Sequence, residues 1–580
     1  MKNKITACFT SICILLLTFS TLFACEVRGV RELCVPEVSI NGDTLVWGEV
    51  TDAIAYEIDT GSSIERVPYD TFEYTLTESG TYRVRAVGDG SVYNSSAWSD
   101  AVSYDANAPK HEHRDTGDDG FCDECGDEII VIIDIYGIND LHGKFCDTDK
   151  QPGVDELATY LKNARENDDY AIFISSGDMW QGSAESNLSG GFILTEWMNS
   201  LGFASMTLGN HEFDWGTDRI RENSAIADFP FLAINVYERA TNELADFAKG
   251  SVIVDYGTVQ IGIIGAVGDC YSSIASDMVE DVYFKVGSEL TELVKAEAER
   301  LEDAGADLIV YSLHDGYDKN ESGIKEISTT RLASYYQASL GDCVDIVFEG
   351  HTHKSYVLCD TRDTYHLQTG GENRGISHAE ISLSMASKSV EVTKAEIVSN
   401  YKYSSLEDDP ATEELEDKYS DIIDIAYEVL GTINRSLNSS ELGDLAARLY
   451  AEAGEERWPE YNIALGGGYI NTRSPYDLSS GTVRYSDVLS LFPFDNRLTL
   501  CAVKGEQLLY KFINNSSYHV YLTEYGNSIK NNIDMNATYY IVVDSYTQLY
   551  EPNRLTLIEY YDNNTYARDL IADAIRKKEI

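Results

Sequence analysis

Five apolar runs in the middle of the chain each end in a cluster of histidine, aspartate or asparagine. Residues 129–135 lead to Asn139-Asp140-Leu141-His142-Gly143, 171–175 to Gly177-Asp178, and 204–208 to Gly209-Asn210-His211-Glu212. Residues 308–312 lead to His314, and 344–348 to Gly350-His351-Thr352-His353. Short apolar runs bounded by such clusters predict buried strands. Helical periodicity over 154–165, 191–201 and 290–302 alternates with them, which predicts an α/β domain spanning 128–400. In an open parallel α/β sheet, ligands collect outside the carboxyl ends of the strands, where these five clusters fall.

The flanks read differently. Residues 36–105 alternate apolar and polar positions in short segments separated by Gly, Asp and Ser, the pattern of a small antiparallel β-sandwich. Trp47, Tyr56, Tyr82 and Trp98 are its expected core aromatics. With Tyr56-Glu57-Ile58, Tyr82-Arg83-Val84-Arg85-Ala86 and Trp98-Ser99, the segment resembles a fibronectin type III domain, which implies a spacer or an adhesive module for a wall or host ligand. In the linker at 106–127, His111-Glu112-His113 is followed by Cys122-Asp123-Glu124-Cys125. His111, His113, Cys122 and Cys125 can close a structural zinc site, while a Cys122–Cys125 disulfide or a solvated linker fits the same residues. Beyond the α/β domain, 408–430 reads as an acidic helix within a linker at 401–433, with Glu413, Glu414, Asp417 and Lys418 on its polar side. A second α/β unit is expected over 434–580.

Composition narrows the classes of function. A chain of 580 residues is too long for one core, and a hydrophobic fraction of 43% is ample for several. The formal net charge of -53 argues against a nucleic-acid polymer as partner, because neutralising phosphates requires Lys and Arg in excess. Lys2 and Lys4 precede an apolar run at 12–23, the layout of a signal peptide over 1–24. The run ends in Leu22-Phe23-Ala24-Cys25, which resembles a bacterial lipobox. That resemblance implies a lipid anchor at Cys25 and a place on the extracellular face of the membrane, with plain secretion as the alternative. Eight of the eleven cysteines remain beyond that point, too scattered for a disulfide scaffold.

Five of the ten histidines fall in the strand-end clusters. Phosphate-ester hydrolysis needs an activated water and a sink for phosphoryl charge, and two cations about 4 Å apart supply both, with a hydroxide held between them. Asp178 is the natural bridging carboxylate. Asp140, His142 and His353 can hold one cation, and Asn210, His314 and His351 the other. Such a mixed donor set suits Zn, Mn or Fe.

The Asn139-to-Gly143 motif, together with the continuous Gly209-Asn210-His211-Glu212-Phe213-Asp214-Trp215-Gly216, resembles the 5'-nucleotidase branch of the metallophosphoesterase (calcineurin-like) superfamily. The resemblance covers roughly Glu128 to the C-terminus. It implies a four-layer α/β/β/α catalytic domain, a helix, and a C-terminal α/β substrate-recognition domain that rotates against it. It also implies that His211 stabilises the transition state beside the substrate phosphate and that Asp214 orients its ring. Gly466-Gly467-Gly468-Tyr469-Ile470-Asn471-Thr472-Arg473 is similar to the family's phosphate-binding loop with the arginine displaced, which points to Arg473. Pro493-Phe494-Asp495-Asn496 matches an aromatic motif of the base-stacking region, which points to Phe494, with Tyr550 as a second candidate. The implied activity is release of phosphate from extracellular nucleotides. A 2',3'-cyclic-nucleotide phosphodiesterase with 3'-nucleotidase activity and a catalytically silent surface adhesin are the alternatives.

Overall fold

The computed structural model describes residues 31–41, 44–104, 117, 119–123, 126–148, 152–328, 340, 342–470, 472, 477–562 and 565–578. They divide into two compact units, one ending at Asp127 and one beginning at Glu128.

In the first unit, strands Val38–Asn41, Thr44–Trp47 and Glu73–Thr75 form one antiparallel sheet. Strands Ile64–Pro68, Ala55–Asp59, Gly80–Val87 and Val102–Tyr104 form the other. Alternate residues point inward, so Leu45, Trp47, Tyr56, Ile58, Tyr82 and Val84 make the core of this sandwich. Trp98 departs from the expectation. It lies outside the buried core, with the guanidinium of Arg85 4.5 Å from its ring centroid and that of Arg83 5.7 Å away. A flat ring in reach of two guanidinium groups gains cation–π attraction at the surface.

The second unit contains two mixed sheets rather than one open parallel sheet. The first has the strand order Phe231–Leu232, Ser205–Thr207, Ile172–Ser175, Ile130–Ile138, Gly375–Ser384 and Val390–Ser399, with the first four parallel. The second centres on the parallel strands Gln260–Val267, Leu308–His314 and Ile346–Glu349. Alternation along Ile130–Ile138 explains how the sheets are covered. Val131, Ile133 and Ile135 face the second sheet, while Tyr136 and Ile138 face helices. The sheets approach so closely that a Cβ on Gly137 would lie 2.4 Å from the Phe348 ring.

Helices Asp155–Asn167 and Phe192–Leu201 cover the outer face of the first sheet with Leu157, Leu161, Ile193, Leu194, Trp197 and Met198. Helix Ser288–Asp303 covers the second with Leu290, Val294, Ala298 and Leu301. The result is the expected α/β/β/α layering.

The helix expected at 408–430 is divided. Helices Pro410–Lys418 and Ser420–Ala426 are interrupted at Tyr419, and residues Val429–Ile433 form a strand paired with Gly481–Arg484. The β-branched residues Val429, Thr432 and Ile433 favour the ladder over a further helical turn. The C-terminal part is a five-stranded sheet ordered His519–Leu522, Ile463–Gly468, Thr538–Asp544, Leu498–Lys504 and Leu555–Tyr560. Helix Ser439–Arg457 packs on it and starts with a capping box between Asn438 and Glu441.

Candidate active site

All five strand ends meet, three from the first sheet and two from the second. Just past them the chain turns through left-handed backbone at Asp140, His142, Asp178, His351 and His353, with φ between 51° and 73°. Side-chain-bearing residues rarely adopt this conformation, and its concentration at five candidate metal-binding positions marks strain held by the surrounding fold. The two loops of the first sheet are laced together: the backbone N–H groups of Asp140 and His142 donate to the carbonyls of Gly177 and Asp178 at 2.9 and 3.0 Å. A Cβ on Gly209 would come within 2.3 Å of Asp178 Oδ1, so only glycine lets the third loop close on that carboxylate.

A buried carboxylate ties the loops. Glu212 accepts from the backbone N–H groups of Asp178 at 2.9 Å, Met179 at 2.8 Å and Gly209 at 2.7 Å. Burial first, and the neighbouring Asp178 second, push its carboxyl up to about 7. The sequence motif contains Glu212 but does not announce this task.

The structure brings the seven proposed donors together. His142 Nε2 and His353 Nε2 face each other at 2.8 Å, and His353 Nε2 lies 3.4 Å from Asp140 Oδ1. His314 Nε2 lies 3.1 Å from Asp178 Oδ2, and His351 Nδ1 is 2.9 Å from Asn210 Oδ1. His211 approaches from one side: its backbone N–H donates to Asp178 Oδ1 at 2.8 Å, and its Nδ1 is 2.6 Å from Asp214 Oδ2.

This donor set fits a pair of divalent cations. His142 Nδ1 donates to Gln181 O at 2.8 Å and His314 Nδ1 to Ser176 O at 2.6 Å, which turns each Nε2 toward the carboxylates. His314 Nε2 is buried and faces the Asp178 carboxylate. The charge balance agrees. Burial works against a charged imidazole at His314, yet Asp178 and Asp140 push it up to about 10, so positive charge is drawn to this spot. Burial and the charge on His314 lower His351 to about 4, which keeps it a neutral donor.

The C-terminal part reaches the same place. Phe494 is 47% exposed, and its ring lies 6.3 Å from that of His211 at an interplanar angle of 30°. Its loop is anchored by the buried Arg568, which donates to Phe494 O at 2.8 Å and pairs with Asp495 at 2.5 Å. From the catalytic side, Asn187 Nδ2 donates to Pro493 O at 2.9 Å, while its Oδ1 accepts from the Gly182 N–H beside His142. Tyr550 is 57% exposed and stacks on Tyr469 at 5.5 Å and on Tyr546 at 6.1 Å. A cleft of about 730 Å³ opens between the two parts, lined by Lys144, Ser183, Glu372, Tyr427 and Arg484 among others. Arg473, Cys25, His111, His113 and Cys125 lie outside the described residues. Cys122 is buried.

Fold and site define a two-part phosphoesterase. Residues 133–355 match the family model of the calcineurin-like phosphoesterases, and 427–521 match that of the 5'-nucleotidase C-terminal domain. The chain is a metal-dependent phosphoric monoester hydrolase of this construction. Among curated proteins it is similar to Protein UshA of Yersinia enterocolitica, with 26% identity over 422 residues, covering 65% of this chain and 74% of the relative. Similarity to Endonuclease YhcR of Bacillus subtilis is 26% over 409 residues, covering 65% of this chain and only 32% of that longer protein. The fold is shared with the 5'-nucleotidase precursor of Thermus thermophilus, at a TM-score of 0.55 and 17% identity over 77% of this chain and 97% of the other.

Proposed function

We propose that the chain removes phosphate from extracellular nucleotides as a 5'-nucleotidase-like enzyme. The observation that carries this reading is the meeting of seven donors with the His211–Asp214 pair beside an exposed aromatic ring of the C-terminal part. Asp140, His142 and His353 would hold one cation, Asn210, His314 and His351 the other, and Asp178 would bridge them. Two divalent cations supply a charge sink for phosphoryl oxygens and acidify water as a nucleophile.

The chain's own groups do the rest. Asp214 fixes Nδ1 of His211, which leaves Nε2 as the atom that carries a proton toward the leaving oxygen and offsets charge in the transition state. Phe494 gives the nucleobase a face to stack on next to the reacting phosphate, with the Tyr469, Tyr546 and Tyr550 stack as a second aromatic platform. Arg473 would hold phosphate. The similarity to an endonuclease raises a polymer as an alternative substrate, but a net charge of -53 favours small nucleotides. The signal-like segment and Cys25 support lipid anchoring at the cell surface, and the sandwich is read as a fibronectin-like module for a wall or host ligand.

Phosphate release should be measured from 5'-, 3'- and 2',3'-cyclic nucleotides and from DNA. The reading predicts preference for the 5'-monophosphates and near-complete loss of release in a folded Asp178→Asn variant. Full activity in that variant contradicts the bridging role, and preference for cyclic nucleotides or DNA contradicts the substrate assignment.

A further inference from the structure

We propose that Gln368 is a positioning residue for the cation held by Asp140, His142 and His353, an inference that rests on the dimetal reading above. Of those three donors His353 is the one least held by packing: its side chain is 34% exposed, while Asp140 and His142 are buried. Its backbone is also left-handed, with φ at 53°. A strained, half-open donor keeps its place only where the surrounding chain holds it.

Gln368 supplies that hold. It ends strand Tyr365–Gln368, which lies between Ile346–Glu349 and Tyr356–Asp360 in the second sheet. The side chain is buried, and its Nε2 donates to Thr352 Oγ1 at 2.7 Å and to Lys354 O at 2.8 Å. Those two residues flank His353, so one amide group clamps the chain on both sides of it. A carbonyl only accepts, so Lys354 O fixes which end of the amide faces the loop. Thr352 Oγ1 in turn donates to Tyr317 O at 2.7 Å. The residues after Gln368 reach Asp140. The Thr369 N–H donates to Asn139 Oδ1 at 3.1 Å, and the Thr369 carbonyl accepts from Asn139 Nδ2 at 3.1 Å. Asn139 Nδ2 also donates to Asp140 Oδ2 at 2.6 Å, and the Glu372 N–H donates to Asp140 O at 2.7 Å. Residues 368–372 thus tie the His353 loop of the second sheet to the Asp140 loop of the first, and set the spacing of two donors that come from different sheets. His351 is held by other groups: its N–H donates to Asp140 Oδ2 at 2.8 Å, and its Nδ1 faces Asn210 Oδ1. Loss of the Gln368 clamp therefore loosens one cation position and spares the one formed by Asn210, His314 and His351.

The test is stepwise binding of Mn²⁺ to the chelator-stripped full chain, with the Tm of the metal-free protein measured alongside. Gln368→Met keeps the length of the side chain and removes both N–H donors. It should bind one of two equivalents as wild type does and the other about 10–100-fold more weakly. His353→Ala identifies the position: Gln368→Met added to it should cost no further affinity, because the clamp then has nothing to hold. Thr352→Val removes the hydroxyl end of the clamp and should weaken the same equivalent by a smaller factor; it carries the test if Gln368→Met unfolds. Two unchanged equivalents overturn the inference, as does equal weakening of both, or a full additional loss on top of His353→Ala. A wild type that binds fewer than two equivalents overturns the dimetal reading and the inference with it.

Discussion

His211 and Asp214 stand three residues apart on one short turn, Nδ1 against carboxylate at 2.6 Å, and that geometry divides their expected effects. His211→Ala should lower kcat by about 10²–10⁴-fold with little change in KM, because a proton carrier acts in the transition state. Asp214→Asn should cost about 10-fold, since the imidazole stays but loses its fixed tautomer. Steady-state kinetics on AMP checks both, and equal losses would mean that Asp214 does more than orient the ring. The candidate donors that the fold gathers could be picked out in the sequence, because cation binding requires particular side chains and each sits at the end of an apolar run. Their left-handed backbone could not, since nothing in Asp140 or His353 as residue types announces it. Glu212 went unassigned for a related reason. Glu212 works through three backbone N–H groups, two of which come from the Asp178 loop about 33 residues earlier.

Among the elements, strands buried on both faces were readable because their runs are continuously apolar, whereas the segment 408–430 was not. Its acidic, weakly periodic sequence supports helix throughout, and tertiary pairing of Val429–Ile433 decides its end. The first of the two resulting helices also sets up a charge problem. Asp155, in the first turn of helix Asp155–Asn167, is buried with Oδ1 lacking a hydrogen bond. Burial, then Glu416, Asp408, Asp147 and Glu156, push its carboxyl from 3.8 to about 7. The folded chain therefore holds a proton that the unfolded chain has released between about pH 4 and 7. Stability from this group falls as pH rises through that window and is lowest above it. Asp155→Asn should raise Tm at pH 8 and leave it nearly unchanged at pH 4; an equal shift at both pH values would contradict the buried acid.

Across the whole of the second unit, the sequence indicated α/β layering but not that the five strand ends are shared between two facing sheets. Parallel and antiparallel partners are chosen by long-range register, as when Gly375–Ser384 pairs with Ile130–Ile138 more than 200 residues away. The C-terminal contact was half legible: Phe494 stood out by its motif, while its anchors Arg568 and Asn187 carry no local signal. Phe494→Ala should raise KM for AMP by about 10-fold or more, the worth of one base–aromatic stack, and leave KM for p-nitrophenyl phosphate unchanged. Equal effects on both substrates would mean that the ring supports the site and does not read the base. Hydrolysis of the ester is proposed to depend on one dimetal site at the convergent strand ends. The most direct measurement is titration of chelator-stripped protein with Mn²⁺ or Zn²⁺, following bound metal and phosphate release from AMP together. The metal-free protein should release no phosphate, and release should reach a plateau at two equivalents bound; full release without metal would contradict the dimetal mechanism.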